Sequence, residues 1–237
     1  MIGASFEEAG GALEPTYLLA KAIIKPSMLL WFRIHMEGLE NIPRKGPAIL
    51  AFNHIAYLDP FLSALAVDNV GRHPRFLGKS ELFQDKRIAW ILRGAKQIEV
   101  KRGTREAPMA LDNAIAALED GQIIVVFPEG TITTDPDLNM MAPKTGTARL
   151  ALASGVPLIP AAVWGTQNVW PKGHRKHWWP PRQDLLVRIG EPMEVSGAPD
   201  NRRDWQRLGD EIAEEISRLV ASLRPIVPDR RRPKKAA

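Results

Sequence analysis

Short apolar runs that alternate with helix-like segments constrain the fold of this chain more than any other feature. The runs at 48–52 (Ala-Ile-Leu-Ala-Phe) and 123–127 (Ile-Ile-Val-Val-Phe) are continuously apolar and only five residues long. Runs of this kind are typical of strands that are buried on both faces of a sheet. Segments with helical spacing of apolar residues lie between such runs, and the longest spans 204–223. The alternation predicts an α/β sandwich with a mixed, largely parallel sheet flanked by helices.

The predicted elements follow one another without a linker or an internal repeat. Strands are expected at 32–36, 48–52, 75–77, 97–100, 123–127, 157–163 and 185–189. Helices are expected at 59–67, 80–92 (with Ser80 as its cap), 106–118, 146–154 and 204–223. A chain of 237 residues can bury one full core. We therefore predict three parts: an N-terminal apolar helix and lead-in (1–36), a single domain (37–225) and a basic, disordered tail (226–237).

Composition excludes some chemistry and favours some partners. The absence of cysteine excludes disulfides, thiol nucleophiles and thiolate metal sites. The net charge is +5, and arginine and lysine cluster at 229–235. A basic surface suits phosphate-bearing partners, either anionic lipid or nucleic acid. The acidic stretch 1–14 lacks the basic start of a secretory signal.

The segment 17–32 is strongly apolar, but Lys21 and Lys25 interrupt it. It is too short and too charged to cross a bilayer, which needs about 20 predominantly apolar residues. One interpretation is a helix in the membrane interface, with Trp31 and Phe32 at headgroup depth. The other is a helix that packs on the sheet. The two are compatible with each other.

His54 and Asp59 stand where the apolar run 48–52 stops and a helix is expected to begin. The carboxyl ends of strands are where open α/β sheets bind ligands. If the loop folds back, Asp59 accepts a hydrogen bond from one imidazole nitrogen. The other nitrogen is then free to take a proton from a substrate hydroxyl. The alternative is that Asp59 only caps its helix and that His54 bonds only to the backbone.

Further polar residues follow other predicted strands. The turn Pro128-Glu129-Gly130-Thr131 follows the run 123–127, and its glycine allows a ligand to approach the backbone closely. Arg102 follows the strand 97–100 and is well shaped to bind phosphate. Lys79 precedes a predicted helix, where a cation is unfavourable unless an anion binds there. Each has a plain alternative as an ordinary turn or a solvated basic residue.

Five blocks of sequence occur in an order that is known from one enzyme family. They are Asn53-His54-x4-Asp59, Gly78-Lys79-Ser80-Glu81-Leu82-Phe83, Ile98-x-Val100-x-Arg102, Phe127-Pro128-Glu129-Gly130-Thr131 and Val156-Pro157-Leu158-Ile159-Pro160. In this order and spacing the chain resembles the glycerolipid acyltransferases, in particular the 1-acylglycerol-3-phosphate acyltransferase family with its HxxxxD motif. The resemblance covers about residues 38–166.

The resemblance implies an activity. His54 would deprotonate the acceptor hydroxyl, and Asp59 would orient His54. The hydroxyl oxygen would attack the thioester of acyl-CoA or acyl-acyl-carrier-protein, with no acyl-enzyme, no cofactor and no metal. The implied acceptor is 1-acyl-sn-glycerol-3-phosphate (lysophosphatidic acid), and the product is phosphatidic acid in phospholipid biosynthesis. The implied location is the cytoplasmic face of the cell membrane, where the protein would sit as a peripheral or monotopic protein on anionic lipids.

The resemblance also implies substrate-binding residues. Lys79 and Arg102 would bind the acceptor phosphate, while Glu129, Gly130 and Thr131 would shape the acceptor pocket.

One position departs from the family pattern. Family members commonly continue the fourth of these blocks with Arg-Ser, whereas this chain has Ile132-Thr133. The arginine would give a charge-assisted hydrogen bond worth about 1.5–3 kcal/mol. Lys144 is a basic residue that would compensate for it in part. Glycerol-3-phosphate or another lysophospholipid therefore stays open as an alternative acceptor.

Two functions of other classes are alternatives for this chain. A metal hydrolase would use His54 and Asp59 with Glu129 and with Asp135 or Asp137, but this spacing matches no familiar metal signature. A non-enzymatic binding module would use the basic tail and the tryptophan-rich segment 170–179. A membrane-facing or pocket-rim loop is the favoured interpretation of that segment, and no nucleic-acid partner is expected.

Overall fold

Helices and strands alternate along the part of the chain that the computed structural model describes, which is residues 15–101, 107–174 and 176–231. The strands are β1 (Phe32–Glu37), β2 (Ala48–Phe52), β3 (Pro74–Lys79), β4 (Ile98–Val100), β5 (Ile123–Val126), β6 (Leu158–Trp164) and β7 (Gln183–Ile189). The helices are α1 (Pro15–Trp31), α2 (Asp59–Asn69), α3 (Ser80–Gln84), α4 (Ala89–Gly94), α5 (Ala107–Glu119), α6 (Gly146–Ser154) and α7 (Arg202–Leu223).

All of these strands belong to one sheet with the order β1-β7-β6-β2-β5-β3-β4. Every neighbouring pair is parallel except β6 and β7, which are antiparallel. The predicted mixed, largely parallel sheet is therefore confirmed. Strands β2, β5, β3 and β4 run in the same direction, so their carboxyl ends lie at one edge of the sheet.

The central strand β2 contributes side chains to a hydrophobic core on each face of the sheet. Ile49 and Ala51 pack with α5, α6 and α7 on one face. Ala48, Leu50 and Phe52 pack on the other face with residues of α1 and α2. Successive side chains of a strand point to opposite faces of the sheet. Because both faces of β2 are buried, every residue of the strand has to be apolar. The helices that flank the sheet are confirmed on both sides.

The predicted helix 80–92 is wrong in its middle, because the structure has two short helices there, α3 and α4. Residues 85–88 separate them, and this turn begins with Asp85. Its carboxylate accepts hydrogen bonds from the backbone and the side chain of Arg87, so a local turn competes with the helix. Ser80 does not cap α3. Its hydroxyl donates instead to Glu99 Oε1 on β4 at 2.6 Å.

Helix α1 is joined to α2 by charged groups. Lys21 and Lys25 form ion pairs with Asp68 at 2.5 and 2.7 Å. Burial alone would raise the pKa of Asp68, but the hydrogen bonds and charges of the two lysines outweigh it and hold that pKa below its usual value. Met28 is buried against the core, whereas Leu30 is 76% exposed. Helix α1 thus packs on the domain and also presents an apolar outer surface.

None of the helices in the described ranges combines the length and the apolar character that a membrane span requires. Membrane association of α1 stays a prediction.

The tail predicted from residue 226 begins inside the folded structure. Val227 is buried in the core, and its carbonyl oxygen accepts a hydrogen bond from Trp164 Nε1 at 2.7 Å. Arg231 pairs with Asp229 at 3.1 Å. Residues 232–237 lie outside the described part of the chain, so disorder of the tail also stays a prediction.

Candidate active site

The loop after β2 begins with a side chain that substitutes for sheet hydrogen bonds. Asn53 Nδ2 donates to the carbonyl oxygen of Val163 at 3.0 Å, and the Val163 N–H donates to Asn53 Oδ1 at 2.8 Å. Because Asn53 is buried and Val163 lies on the neighbouring strand β6, this pair fixes where the chain leaves the sheet. Sequence reasoning did not predict this role for Asn53.

His54 and Asp59 contact each other as the sequence predicts. His54 Nδ1 lies 2.9 Å from Asp59 Oδ2, and the Asp59 side chain is fully buried while that of His54 is 15% exposed. An ionised carboxylate has no hydrogen to donate, so Nδ1 carries the proton of the neutral imidazole. His54 Nε2 is then the nitrogen with a free lone pair, which is the form a general base requires.

Three further hydrogen bonds orient the Asp59 carboxylate. Oδ2 also accepts from the backbone N–H groups of Ile55 and Ala56 at 2.6 and 2.7 Å. Oδ1 accepts from the Thr166 hydroxyl at 2.6 Å, from the turn that follows β6. Because both oxygens are occupied, the carboxylate cannot rotate away from the imidazole without losing several bonds. Thr166 is a functional residue that the sequence interpretation missed.

The alternative in which Asp59 is only a helix cap is wrong. Leu58 occupies the cap position of α2, and no side chain makes a capping hydrogen bond there. The Asp59 carboxylate turns back to the loop 54–56 instead of forward to the first turn of its own helix. Asp59 is thus the first residue of the helix, but its carboxylate accepts hydrogen bonds from the loop that carries His54.

Glu129 is bonded to the histidine loop as well. Its side chain is buried, Oε1 accepts from the His54 N–H at 3.0 Å, and Oε2 accepts from the Met141 N–H at 3.1 Å. Burial raises the pKa of Glu129 above its usual value, although the two backbone hydrogen bonds oppose this increase. The Thr133 N–H donates to the His54 carbonyl oxygen at 2.7 Å, so the segment that follows β5 contacts both the N–H and the carbonyl group of His54.

An aromatic ring supports the imidazole from one side. Phe127 stacks on His54 with a centroid distance of 4.3 Å and an interplanar angle of 24°. Phe76 of β3 stacks in turn on Phe127 at 6.4 Å. This row of rings restricts the orientation of the His54 imidazole plane. The apolar run 123–127 gave no indication in the sequence that Phe127 would stack on His54.

Three further predicted site residues lie at or near the turn that follows β5. Gly130 has a φ of 71°, and its N–H donates to Phe127 O at 2.8 Å, which is a tight turn that favours glycine. Thr131 is half-buried beside it. Lys144 is exposed, and its backbone N–H donates to Pro128 O at 2.9 Å. The structure therefore brings this turn and the main chain of Lys144 together with His54.

The two other predicted phosphate ligands are Lys79 and Arg102. Lys79 ends β3, which is two strands away from β2 at the common edge. Arg102 follows β4 and lies outside the described residues. Ile132, where the family pattern has arginine, is buried.

The residues considered for a metal site do not converge. Within the described ranges, no group of three His, Asp or Glu side chains is arranged to hold a metal ion. Asp135 Oδ1 accepts from the backbone N–H groups of Asp137 and Asn139, which is the pattern of a side chain that stabilises its own turn.

Comparison with known proteins adds independent information. A family model described as Acyltransferase matches residues 33–164, more than half of the chain. Over 162 residues the chain is 32% identical to the 1-acyl-sn-glycerol-3-phosphate acyltransferase of Borreliella burgdorferi, covering 66% of this chain and 62% of that protein. Over 159 residues it is 28% identical to the chloroplastic enzyme LPAT1 of Arabidopsis thaliana, covering 66% and 43%. The chain thus spans about half the length of these curated relatives.

A solved structure is similar over most of the chain. It is the 1-acyl-sn-glycerophosphate (LPA) acyltransferase PlsC from Thermotoga maritima, with a TM-score of 0.65 and 27% sequence identity. The match covers 90% of this chain and 79% of that one. It therefore includes the sheet and the helices on both of its faces.

Proposed function

The chain belongs to the acyltransferase family, and on that premise we propose that it transfers a fatty acyl group from a thioester to the free hydroxyl of 1-acyl-sn-glycerol-3-phosphate. The product is phosphatidic acid. The observation that carries the proposal is the contact between His54 Nδ1 and a buried Asp59 carboxylate that three other donors hold in place. The named activity of the relatives supports the choice of reaction.

The reaction needs only one group that moves a proton. His54 Nε2 takes the proton of the acceptor hydroxyl as its oxygen attacks the thioester carbonyl carbon. The tetrahedral intermediate collapses, an ester forms, and the C–S bond breaks. The leaving thiolate then takes the proton from the imidazolium, so the histidine returns to its starting form. Asp59 stabilises the imidazolium in between, as a buried carboxylate does beside a catalytic histidine.

The donor is acyl-CoA or acyl-acyl-carrier-protein, and both present the same thioester to His54. The identity of the acceptor is less well supported than the reaction type. Glycerol-3-phosphate is the second candidate, because Ile132 is buried where the family pattern has a cation, and this changes how a phosphate would be bound.

An acyl-transfer assay tests the proposal. Purified protein is given acyl-CoA or acyl-acyl-carrier-protein with lysophosphatidic acid, glycerol-3-phosphate or lysophosphatidylglycerol, and thiol release is followed in the presence of EDTA. We expect the fastest release with lysophosphatidic acid and no loss of rate from the chelator, since no step uses a metal. Thiol release with none of these acceptors would refute the proposal, and complete inhibition by EDTA would favour the metal hydrolase.

We also propose that the protein works on a membrane surface, as a peripheral or monotopic protein on the cytoplasmic face. Leu30 at the end of α1 and Trp179 in the β6–β7 connection are each 76% exposed. These segments are neighbours, because Trp31 Nε1 donates to the carbonyl oxygen of Trp178 at 2.9 Å. Exposed apolar groups from two adjacent segments suit insertion at headgroup depth.

Sedimentation with lipid vesicles tests the membrane proposal. Wild-type protein should sediment with vesicles that contain phosphatidylglycerol, and Leu30→Ser with Trp179→Ser should weaken this binding. Leu82→Ser, at an exposed leucine on α3, is the matched control. Equal recovery of wild type and the double variant in the supernatant would contradict the proposal.

A further inference from the structure

The connection between β6 and β7 is fastened to the histidine loop near its beginning. The Tyr57 N–H donates to Trp170 O at 3.1 Å, and the rings of these two residues lie 5.3 Å apart. Ala56 and Pro171 form an isolated antiparallel bridge. The residue that follows, Lys172, therefore has a defined position relative to the loop that carries His54.

The Lys172 ammonium contacts the segment that directly follows the fourth sequence block. Its Nζ donates to the carbonyl oxygen of Ile132 at 3.3 Å. The N–H of the same peptide group, that of Thr133, donates to the His54 carbonyl oxygen at 2.7 Å. One peptide group therefore separates the lysine cation from the backbone of the proposed general base.

The charge of Lys172 has no anionic partner in the part of the chain that the structure describes. Its recorded contact is a neutral carbonyl oxygen, and the side chain is exposed to solvent. Carbonyl contact leaves the positive charge available, and an exposed ammonium with three donors can bind a carbonyl and a phosphate together. Ile132 is buried and supplies no charge at this place.

From these contacts we infer that Lys172 binds the phosphate of the acceptor, reaching the site from the β6–β7 connection. The inference rests on the proposed function, because it needs an acceptor with a phosphate near the reacting hydroxyl. It assigns to a distant loop the positive charge that this chain lacks at position 132. Lys172 is thus a residue that determines which acceptor is held beside His54.

A purely structural role makes a different prediction. If Lys172 only tethers the Ile132 carbonyl, its loss would shift the His54 backbone and lower kcat with every substrate. If it binds phosphate, its loss raises KM for the phosphorylated acceptor and leaves kcat and the KM of the thioester donor nearly unchanged.

The test compares wild type with Lys172→Ala, Lys172→Arg and Lys45→Ala in steady-state acyl transfer to lysophosphatidic acid. Lys45 is an exposed lysine that precedes β2, at the opposite end of that strand from His54, and its variant is the matched control. For Lys172→Ala we expect KM for the acceptor to rise about tenfold or more, as for a lost charge-assisted contact. Lys172→Arg should restore most of the affinity, and Lys45→Ala should match wild type.

Binding of glycerol-3-phosphate by titration calorimetry provides a readout that does not depend on turnover. Weaker binding by Lys172→Ala and recovery in Lys172→Arg would support the inference. An active wild type with an unchanged acceptor KM in Lys172→Ala would overturn the role of Lys172 alone. Absence of thiol release by wild type with every acceptor would instead overturn the proposed function.

Discussion

The two halves of the candidate site differ in how firmly they are held. In the base half, Asp59 is buried and four hydrogen bonds fix its carboxylate against His54. In the half that is proposed to bind phosphate, Lys144 and Lys172 are exposed, and they come from separate loops. Proton transfer needs a fixed geometry, whereas long flexible cations can adjust to a headgroup. The difference suggests that the geometry of proton transfer is fixed, whereas the lysine side chains can adjust to different acceptors.

The largest effect is expected from the base itself. His54→Ala removes the proton acceptor, and general-base catalysis contributes about 10²–10⁴-fold. We expect kcat to fall by about that factor while the melting temperature stays near that of wild type, because the imidazole is only one of four donors to Asp59. His35→Ala is the control, since His35 is an exposed histidine that contacts Asp184 on β7. A near-normal kcat in His54→Ala would show that His54 is not the general base.

Asp59→Asn keeps His54 but removes the negative charge beside it. The amide NH2 group can replace only one of the two carboxylate oxygens. In place of Oδ2 it would face the N–H donors of Ile55 and Ala56. In place of Oδ1 it would make the Thr166 hydroxyl accept, and the hydroxyl hydrogen would lose its acceptor. An unsatisfied buried polar group costs about 1–3 kcal/mol, so the free energy of unfolding should fall by about this amount. We expect kcat to fall about 10²-fold or more, since the imidazolium loses its counter-charge.

Kinetics and urea unfolding of the same Asp59→Asn sample separate these two effects. Asp204→Asn, at a carboxylate near the start of α7, is the control for a general effect of removing a charge. A variant with full activity and reduced stability would mean that Asp59 is structural only.

Glu129→Gln is expected to have the smallest effect, because Glu129 bonds to the backbone N–H of His54 and not to its imidazole. Burial raises the pKa of Glu129 in the folded state above its unfolded value. Its contribution to stability is therefore present at low pH and is lost as pH rises through the folded-state pKa. Urea unfolding between about pH 4 and pH 7 should show a decline in wild type that is weaker in Glu129→Gln.

The Glu129→Gln variant should also turn over more slowly, by about tenfold, because the His54 backbone loses a charge-assisted partner. Glu119→Gln, at the end of α5, serves as the control. Identical pH profiles of stability for wild type and Glu129→Gln would mean that burial does not raise the pKa of the Glu129 carboxylate.

Much of the fold follows from local pattern. The predicted limits of β2 and α6 coincide with the structure, and the limits of the other strands differ by at most two residues. The error at 80–92 comes from Asp85, whose side chain competes with the helix in a way that apolar spacing does not register. Periodicity reports which face is buried, but it does not report the competition between a side chain and the backbone.

By itself the sequence determined the strands, the shared edge of their carboxyl ends and the pairing of His54 with Asp59. That pairing is local, because only a short loop separates the two residues. Tertiary structure decided the rest: Thr166 on Asp59, Glu129 on the His54 backbone and Lys172 beside Ile132. These partners lie 107, 75 and 40 residues apart in the chain, where no local periodicity links them. Packing of parallel strands brings them together, and the hydrogen bonds of buried polar groups then select the contacts.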